Sequence, residues 1–141
     1  MNELVALLHT GNYSCVIKNG SGMNTFTQRG VADLYDLYCN RPEYLNKASI
    51  ADKVVGKGAA ALMILGNVKT VYADVISSQA LQLLQTAGTK VSFGKEVPFI
   101  INRTKTGRCP LETACDRLYK PEEIFPVIKE FIETTVKQKQ R

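Results

Sequence analysis

The chain has 141 residues, 45% of them hydrophobic, which is enough for one globular domain over residues 1–141 with a real core. No apolar run reaches the roughly 20 residues that span a bilayer, so no membrane role is expected. The formal net charge is +5, but only six of the 18 Lys and Arg residues fall in the two basic stretches NRTKTGR and KQKQR. With the other basic residues dispersed and no aromatic residues interleaved, nucleic acid is not the expected partner.

The opening MNELVALLHTG has an early acidic residue and no basic leader, so it reads as a short amphipathic helix rather than a secretory signal. The expected location is cytoplasmic. His9, the sole histidine, is given no role. Cys15, Cys39, Cys109 and Cys115 are spaced by 24, 70 and 6 residues, with no C-x-x-C pair. That pattern predicts reduced thiols, not a zinc site.

Next comes YSCVIKNGSGMNTFTQ, where apolar and polar residues alternate around Asn19-Gly20-Ser21-Gly22, a hairpin signal. Val31, Leu34, Leu37 and Tyr38 form one helical stripe. Ser49 and Asp52 read as an S-x-x-D capping box, which predicts a helix from Ile50 to a stop at Gly66. KTVYADVI has the near-continuous apolar character of a doubly buried strand. Ser77 then caps a helix with Ala80, Leu81, Leu84 and Ala87 on its buried face, ended by Gly88. TKVSFG supplies another strand, and VPFII is either a further strand or an extended lead into the basic loop. Two helices close the chain, one from Pro110 and one burying Ile124, Val127, Ile128, Phe131 and Ile132. Pro126 either kinks the latter or limits PEEI to a turn. This order predicts an α/β fold, a three-layer α/β/α sandwich around a mixed sheet.

VYADVISSQALQLLQTAGTKVSF resembles the central unit of the cytidine deaminase-like fold. In that family a strand runs into P-C-x-x-C at a helix start, and the helix ends in Ala-Gly before the next strand. Ser78 and Leu81 stand at the cysteine positions here, and Ala87-Gly88 at the helix end. Upstream, VVGKGAAAL lies where the family has H-x-E before an alanine-rich helix, with Val55 at the histidine and Lys57 at the glutamate. The resemblance therefore implies the scaffold without its zinc ligands. Together, VVGKGAAALM, YADVIS and GRCPLETA resemble a prokaryotic family of that fold, domain of unknown function 1893, from about His9 to Ile132.

Lys57 is the sharpest candidate for chemistry. An ammonium set between Gly56 and Gly58 near a buried helix suits an anion or carbonyl site, or a nucleophile if burial lowers its pKa. The competing reading is a lysine that snorkels from a helix edge, with both glycines serving helix contacts. A P-loop is excluded: Ala51 stands where the first glycine belongs, and Gly58 where Ser or Thr would hold magnesium. Asp52 is either the capping carboxylate or a partner of Lys57.

Cys109, ahead of Pro110, would sit at a helix start, where the dipole and Arg108 favour the thiolate and Glu112 opposes it. Its alternative role is a cap in a tight turn. Asn102 and Arg103 open a donor-rich loop suited to phosphate or carboxylate.

Three functions follow. The first is a zinc-independent binder of a nucleotide-like or other anionic small molecule near Lys57 and Cys109, with Asp52, Gly56, Gly58, Ser78, Asn102, Arg103 and Glu112 around the ligand. The second is a metal-free enzyme in which Lys57 and Cys109 are catalytic. The third is a structural or interaction module, assembling as a homo-oligomer. No cofactor and no metal are expected.

Overall fold

The computed structural model describes residues 2–20, 22–27, 31–100, 110–115 and 117–139, with residues 110, 112 and 135–139 described by their backbone alone. Strands β1 (Cys15–Asn19) and β2 (Gly22–Phe26) pair antiparallel with Asn19 opposite Gly22, closing a tight hairpin. Gly20 in its turn has φ +60°, the left-handed setting that glycine adopts without strain. Three longer strands, β3 (Ser49–Val55), β4 (Thr70–Ser77) and β5 (Lys90–Val97), run parallel to one another. Because β1 also pairs antiparallel with β3, the sheet is mixed, in the order β2-β1-β3-β4-β5.

Helices α4 (Lys57–Leu65) and α5 (Ser78–Thr86) supply the crossovers that parallel neighbours require. Side-chain alternation then divides the core in two. Cys15, Ile17 and Ile50 join the larger cluster, which takes in α2 (Ala32–Asn40), α3 (Pro42–Leu45), α4, α5, α6 (Pro110–Ala114) and α7 (Pro121–Lys139). Val16 and Ala51, one position along, face the opposite way and meet Leu4 and Leu8 of α1 (Asn2–Thr10). Helices thus cover both faces. Phe125 of α7 ties α2 to α7, with its ring 5.9 Å from that of Tyr35 and 5.3 Å from that of Tyr38.

The capping box expected at Ser49 and Asp52 does not form. That segment is β3, and the helix begins only at Lys57, after Gly56 in the N-cap position. A cap is worth about 1 kcal/mol. A strand paired on both sides gains several hydrogen bonds, each contributing about 1 kcal/mol net, and Ile50, Val54 and Val55 suit it. The stop expected at Gly66 does form: α4 ends at Leu65 with Gly66 as its C-cap at φ −77°, and the positive φ of 64° falls on Asn67. Glycine is needed at Gly66 because a Cβ there would lie 2.7 Å from Leu45 Cδ1 and 2.8 Å from Leu45 Cβ.

Other expectations fare variously. Ser77 caps α5, accepting a hydrogen bond from Ala80 N at 3.2 Å, and Gly88 follows with φ +84°. Ala87, expected on the buried face, is exposed. PEEI belongs to α7, which opens on Pro121 and holds Pro126 within it. β5 ends at Val97, and residues 98–100 form no strand.

One row of the sheet breaks its own pleat. The β3–β4 ladder passes from Asp52↔Ala73 to Val54↔Val75, and the β4–β5 ladder from Ala73↔Phe93 to Val75↔Lys95, leaving out Lys53, Asp74 and Gly94. Beyond that row the buried positions shift by one, so that Val55 and Ile76 continue the larger core begun by Ile50 and Val71. Gly94 permits the close approach: a Cβ there would stand 2.9 Å from the backbone oxygen of Asp74, which cannot swing aside as a side chain could. Replacing Gly94 with Ala should therefore cost about 1–3 kcal/mol, the usual cost of overpacking. Urea unfolding checks this, and an unchanged midpoint would refute it.

Candidate functional site

Adjacent parallel strands β3 and β4 both deliver a helix at their carboxyl ends, the edge where open α/β sheets bind ligands. Lys57 is the first residue of α4, and its N-cap, Gly56, has no side chain with which to close the helix end. Lysine at this position works against the helix dipole, which favours anions at the N-terminus. Yet Lys57 is only 1% exposed and ranks among the largest fully buried side chains. Its Nζ lies over the ring of Tyr119, 4.6 Å from the centroid. That contact is a cation–π interaction.

The same lysine lines a cleft of about 170 Å³ together with Gln79, Gln82, Leu83, Thr86 and Tyr119. Four of these residues recur along one stripe of α5, at the i, i+3, i+4 and i+7 spacing that places side chains on one helical face. The volume falls below the roughly 300–1,000 Å³ of sites that enclose a drug-sized molecule. A cleft of this size has room for one chemical group rather than a whole drug-sized molecule. Its wall presents a cation, side-chain amides, a hydroxyl and an aromatic ring.

Gly58, in the first turn, leaves no space beside the helix. A Cβ there would meet Leu111 Cδ2 at 2.8 Å and Ile128 Cγ1 at 3.6 Å, so the missing side chain lets α6 and α7 close on α4. Ser78 starts α5 next to Gln79, and its one hydroxyl proton is shared between Glu96 Oε2 at 2.7 Å and, more distantly, Val97 O at 3.3 Å. Asn102, Arg103 and Cys109 lie outside the described residues, as does the side chain of Glu112, whose backbone belongs to α6. Gln79, Gln82, Thr86 and Tyr119 were not singled out in the sequence. The polar stripe of α5 was legible beside its apolar one, but the meeting of Tyr119 with Lys57 comes from packing between distant segments.

Asp52 occupies the middle of β3, opposite Cys15 of β1. It is 9% exposed, and Val54 N donates to its Oδ1 at 3.4 Å. Burial pushes its carboxyl up to about 7; the backbone N–H groups of Val54 and Lys53 pull it down, and the charges of Asp74 and Asp33 push it further up. The same surroundings act on Cys15, where burial first, then Asp52 and Asp33, raise the thiol well above its ordinary range. A thiol so held stays protonated and unreactive. Cys115 is buried as well, and Cys39 is exposed.

On the other face of the sheet, His9 Nε2 lies 2.7 Å from Asp74 Oδ1, and the Tyr72 hydroxyl donates to that same oxygen at 2.8 Å. Lys53 Nζ donates to Asn12 Oδ1, just beyond α1, at 2.6 Å. His9 therefore has a structural role, pinning the last turn of α1 to β4. Among the described residues, no group of three His, Cys, Asp or Glu side chains could hold a metal ion. Nor, among them, is any helix long and apolar enough to cross a membrane.

The sequence model of one family, a domain of unknown function (DUF1893), matches residues 3–132. The fold is similar to that in a crystal structure of a DUF1893 family protein from Thermotoga maritima, with a TM-score of 0.83. The two are 23% identical, over 92% of this chain and 87% of that one. No curated protein matches.

The raised Asp52 carboxyl has a definite consequence for stability. Between the ordinary aspartate value of 3.8 and about 7, the folded chain keeps a proton that the unfolded chain has lost. Stability from this group is thus full below pH 4 and is lost as the pH rises through 7, by roughly 4 kcal/mol in all. Asp52→Asn should flatten that slope and melt above the wild type at pH 8. Parallel melting curves of the two proteins from pH 4 to pH 8 would contradict the assignment.

Proposed function

The chain belongs to the DUF1893 family, and we propose that it is a binding protein for a nucleotide-like or other anionic small molecule, held at the Lys57 cleft. The observation that carries this reading is the position of the amine. A lysine almost wholly removed from solvent, on the first turn of a helix, lines the wall of a cleft. The ammonium and the amino end of α4 are two sources of positive potential with one direction, and both favour an oxyanion. Gln79, Gln82 and Thr86 add groups that donate to oxygens or read the polar edge of a ring.

The finer reading of the scaffold is that of a cytidine deaminase-like fold without zinc. Its support is positional. α4 starts at Lys57, two residues after Val55, and α5 starts at Ser78, where the resemblance sets the glutamate, the histidine and the first cysteine in turn. Both starts follow neighbouring parallel strands, as a shared pocket requires. With an amine in place of the general acid/base carboxylate, and Ser78 and Leu81 in place of thiolates, the pocket holds a ligand by charge rather than by metal-bound hydroxide. A cytoplasmic location belongs to the same reading.

A thermal-shift series with inorganic phosphate, nucleoside monophosphates and the matching uncharged nucleosides tests it. The charged members should raise the melting temperature in a saturable way, by the linkage of binding to folding. Lys57→Met keeps the volume of the side chain and removes its charge, and should abolish the effect. A shift that persists in Lys57→Met, or one caused equally by uncharged nucleosides, would place the ligand elsewhere.

A further inference from the structure

We propose that the amino edge of the parallel strands is a docking surface for an acidic polypeptide segment, recognised by a row of three lysines. Lys47 precedes β3, Lys69 precedes β4 and Lys90 opens β5. The three therefore stand side by side on adjoining strands, at the end of the sheet opposite the Lys57 cleft. Neighbouring strands lie about 4.8 Å apart, which gives the row a length of about 10 Å. All three lysines are exposed. Among the described residues none of them meets a carboxylate, whereas Lys18, on β1 at the same edge, is taken by Glu3 at 3.6 Å. The proposal does not depend on the binding reading above.

Main-chain bonds hold the row in place. Lys47 N donates to Asn67 O at 2.8 Å, Lys69 N to Ala48 O at 2.9 Å and Lys90 N to Lys69 O at 3.1 Å. The side-chain amide of Asn67 donates to Asn46 Oδ1 at 2.6 Å, which ties the loop before β4 to the loop before β3. Three ammonium groups carried this close together repel one another. Lys47 has a second cost: its φ is +60°, the left-handed region that glycine or asparagine enters more easily. The repulsion is a loss to the isolated chain and a source of attraction for a polyanion.

The kind of polyanion follows from what flanks the lysines. Residues 46–48, 67–70 and 88–90 contain no aromatic ring on which a base could stack. Their larger apolar side chains, Ala48 and Val68, are 0% and 5% exposed, so these segments offer nothing that could enter a lipid surface. A protein partner needs neither. Three carboxylates at i, i+3 or i+4, and i+7 of a helix lie along about 10 Å of one face, the length of the row.

Fluorescence anisotropy with a labelled, alanine-rich peptide carrying glutamates at i, i+3 and i+7 tests this surface. The peptide should bind wild type, and raising the salt from about 50 to about 200 mM should weaken it. Lys47→Gln, Lys69→Gln and Lys90→Gln should each lower the affinity about two- to fivefold, the worth of one exposed ion pair, and the three together should abolish binding. A control with the exposed Lys95, Lys120 and Lys129 all changed to Gln has the same net charge and should bind like wild type. No binding to wild type, or an equal loss in that control, would overturn the proposal. Tighter binding of single-stranded oligodeoxythymidine or of phosphatidylserine vesicles at the same three lysines would also overturn it, by assigning the row to another partner. Thermal melting is the second readout. The variant lacking all three lysines should melt no lower than wild type, since it has lost only repulsion, and a lower melting temperature would show that the row serves the fold instead.

Discussion

An amine that has left water governs the architecture around it. Transfer of an ammonium into a protein interior costs several kcal/mol after relaxation, and a desolvated cation–π contact returns about 2. The remainder falls to the polar groups around Lys57. That balance explains the local composition. Gly56 ends β3 without a competing cap, and Gly58 yields its place to Leu111 and Ile128, so that α6 and α7 close over α4. The α6–α7 connection then carries Tyr119 onto the lysine.

The two faces of the sheet have separate duties. One face bears α2 to α7 and the large core, and its buried polar side chains among the described residues are Asp52 in the middle of β3, Lys57 just after β3 and Ser77 at the carboxyl end of β4. The other bears α1, held by Leu4 and Leu8 and by the His9–Asp74 contact. The row of Lys53, Asp74 and Gly94 separates the two regimes within each strand. By shifting the pleat it turns Val55 and Ile76 inward, and leaves Val54 at 46% exposure beside Val75, Val97, Phe99 and Ile100 on the outer side. The same row aims Asp74 at α1. One irregularity thus serves the site and the anchoring of the helix together.

Asp52 shows how such a sheet treats a misplaced charge. Its position in β3, paired to β1 on one side and β4 on the other, denies the carboxylate its water, and the nearest charged neighbours repel it. The carboxyl keeps its proton to near neutrality. Cys15 opposite is silenced by the same burial. Reactivity in this fold is therefore not to be sought at the β1–β3 junction, for all its ionisable groups. The cleft beside α4 and α5 instead gathers Lys57, Gln79, Gln82 and Thr86 along one wall.

Local chemistry by itself determined the hairpin, the Ser77 cap, the strand before it, the apolar stripes of α2 and α7, and the oddity of a lysine between two glycines. Each rests on residues within a few positions of one another, and each was legible for that reason. The identity of β3 was not: Ser49 and Asp52 carry a genuine capping pattern, and only pairing with β1 and β4, whose partner residues lie 21 to 37 positions away in sequence, overrode it. The role of His9 was hidden likewise, since Asp74 is 65 residues distant. So was the ring over Lys57, because no period or motif links it to Tyr119. Tertiary structure decided these because burial and charge depend on which segments meet, and that is settled by the whole core at once.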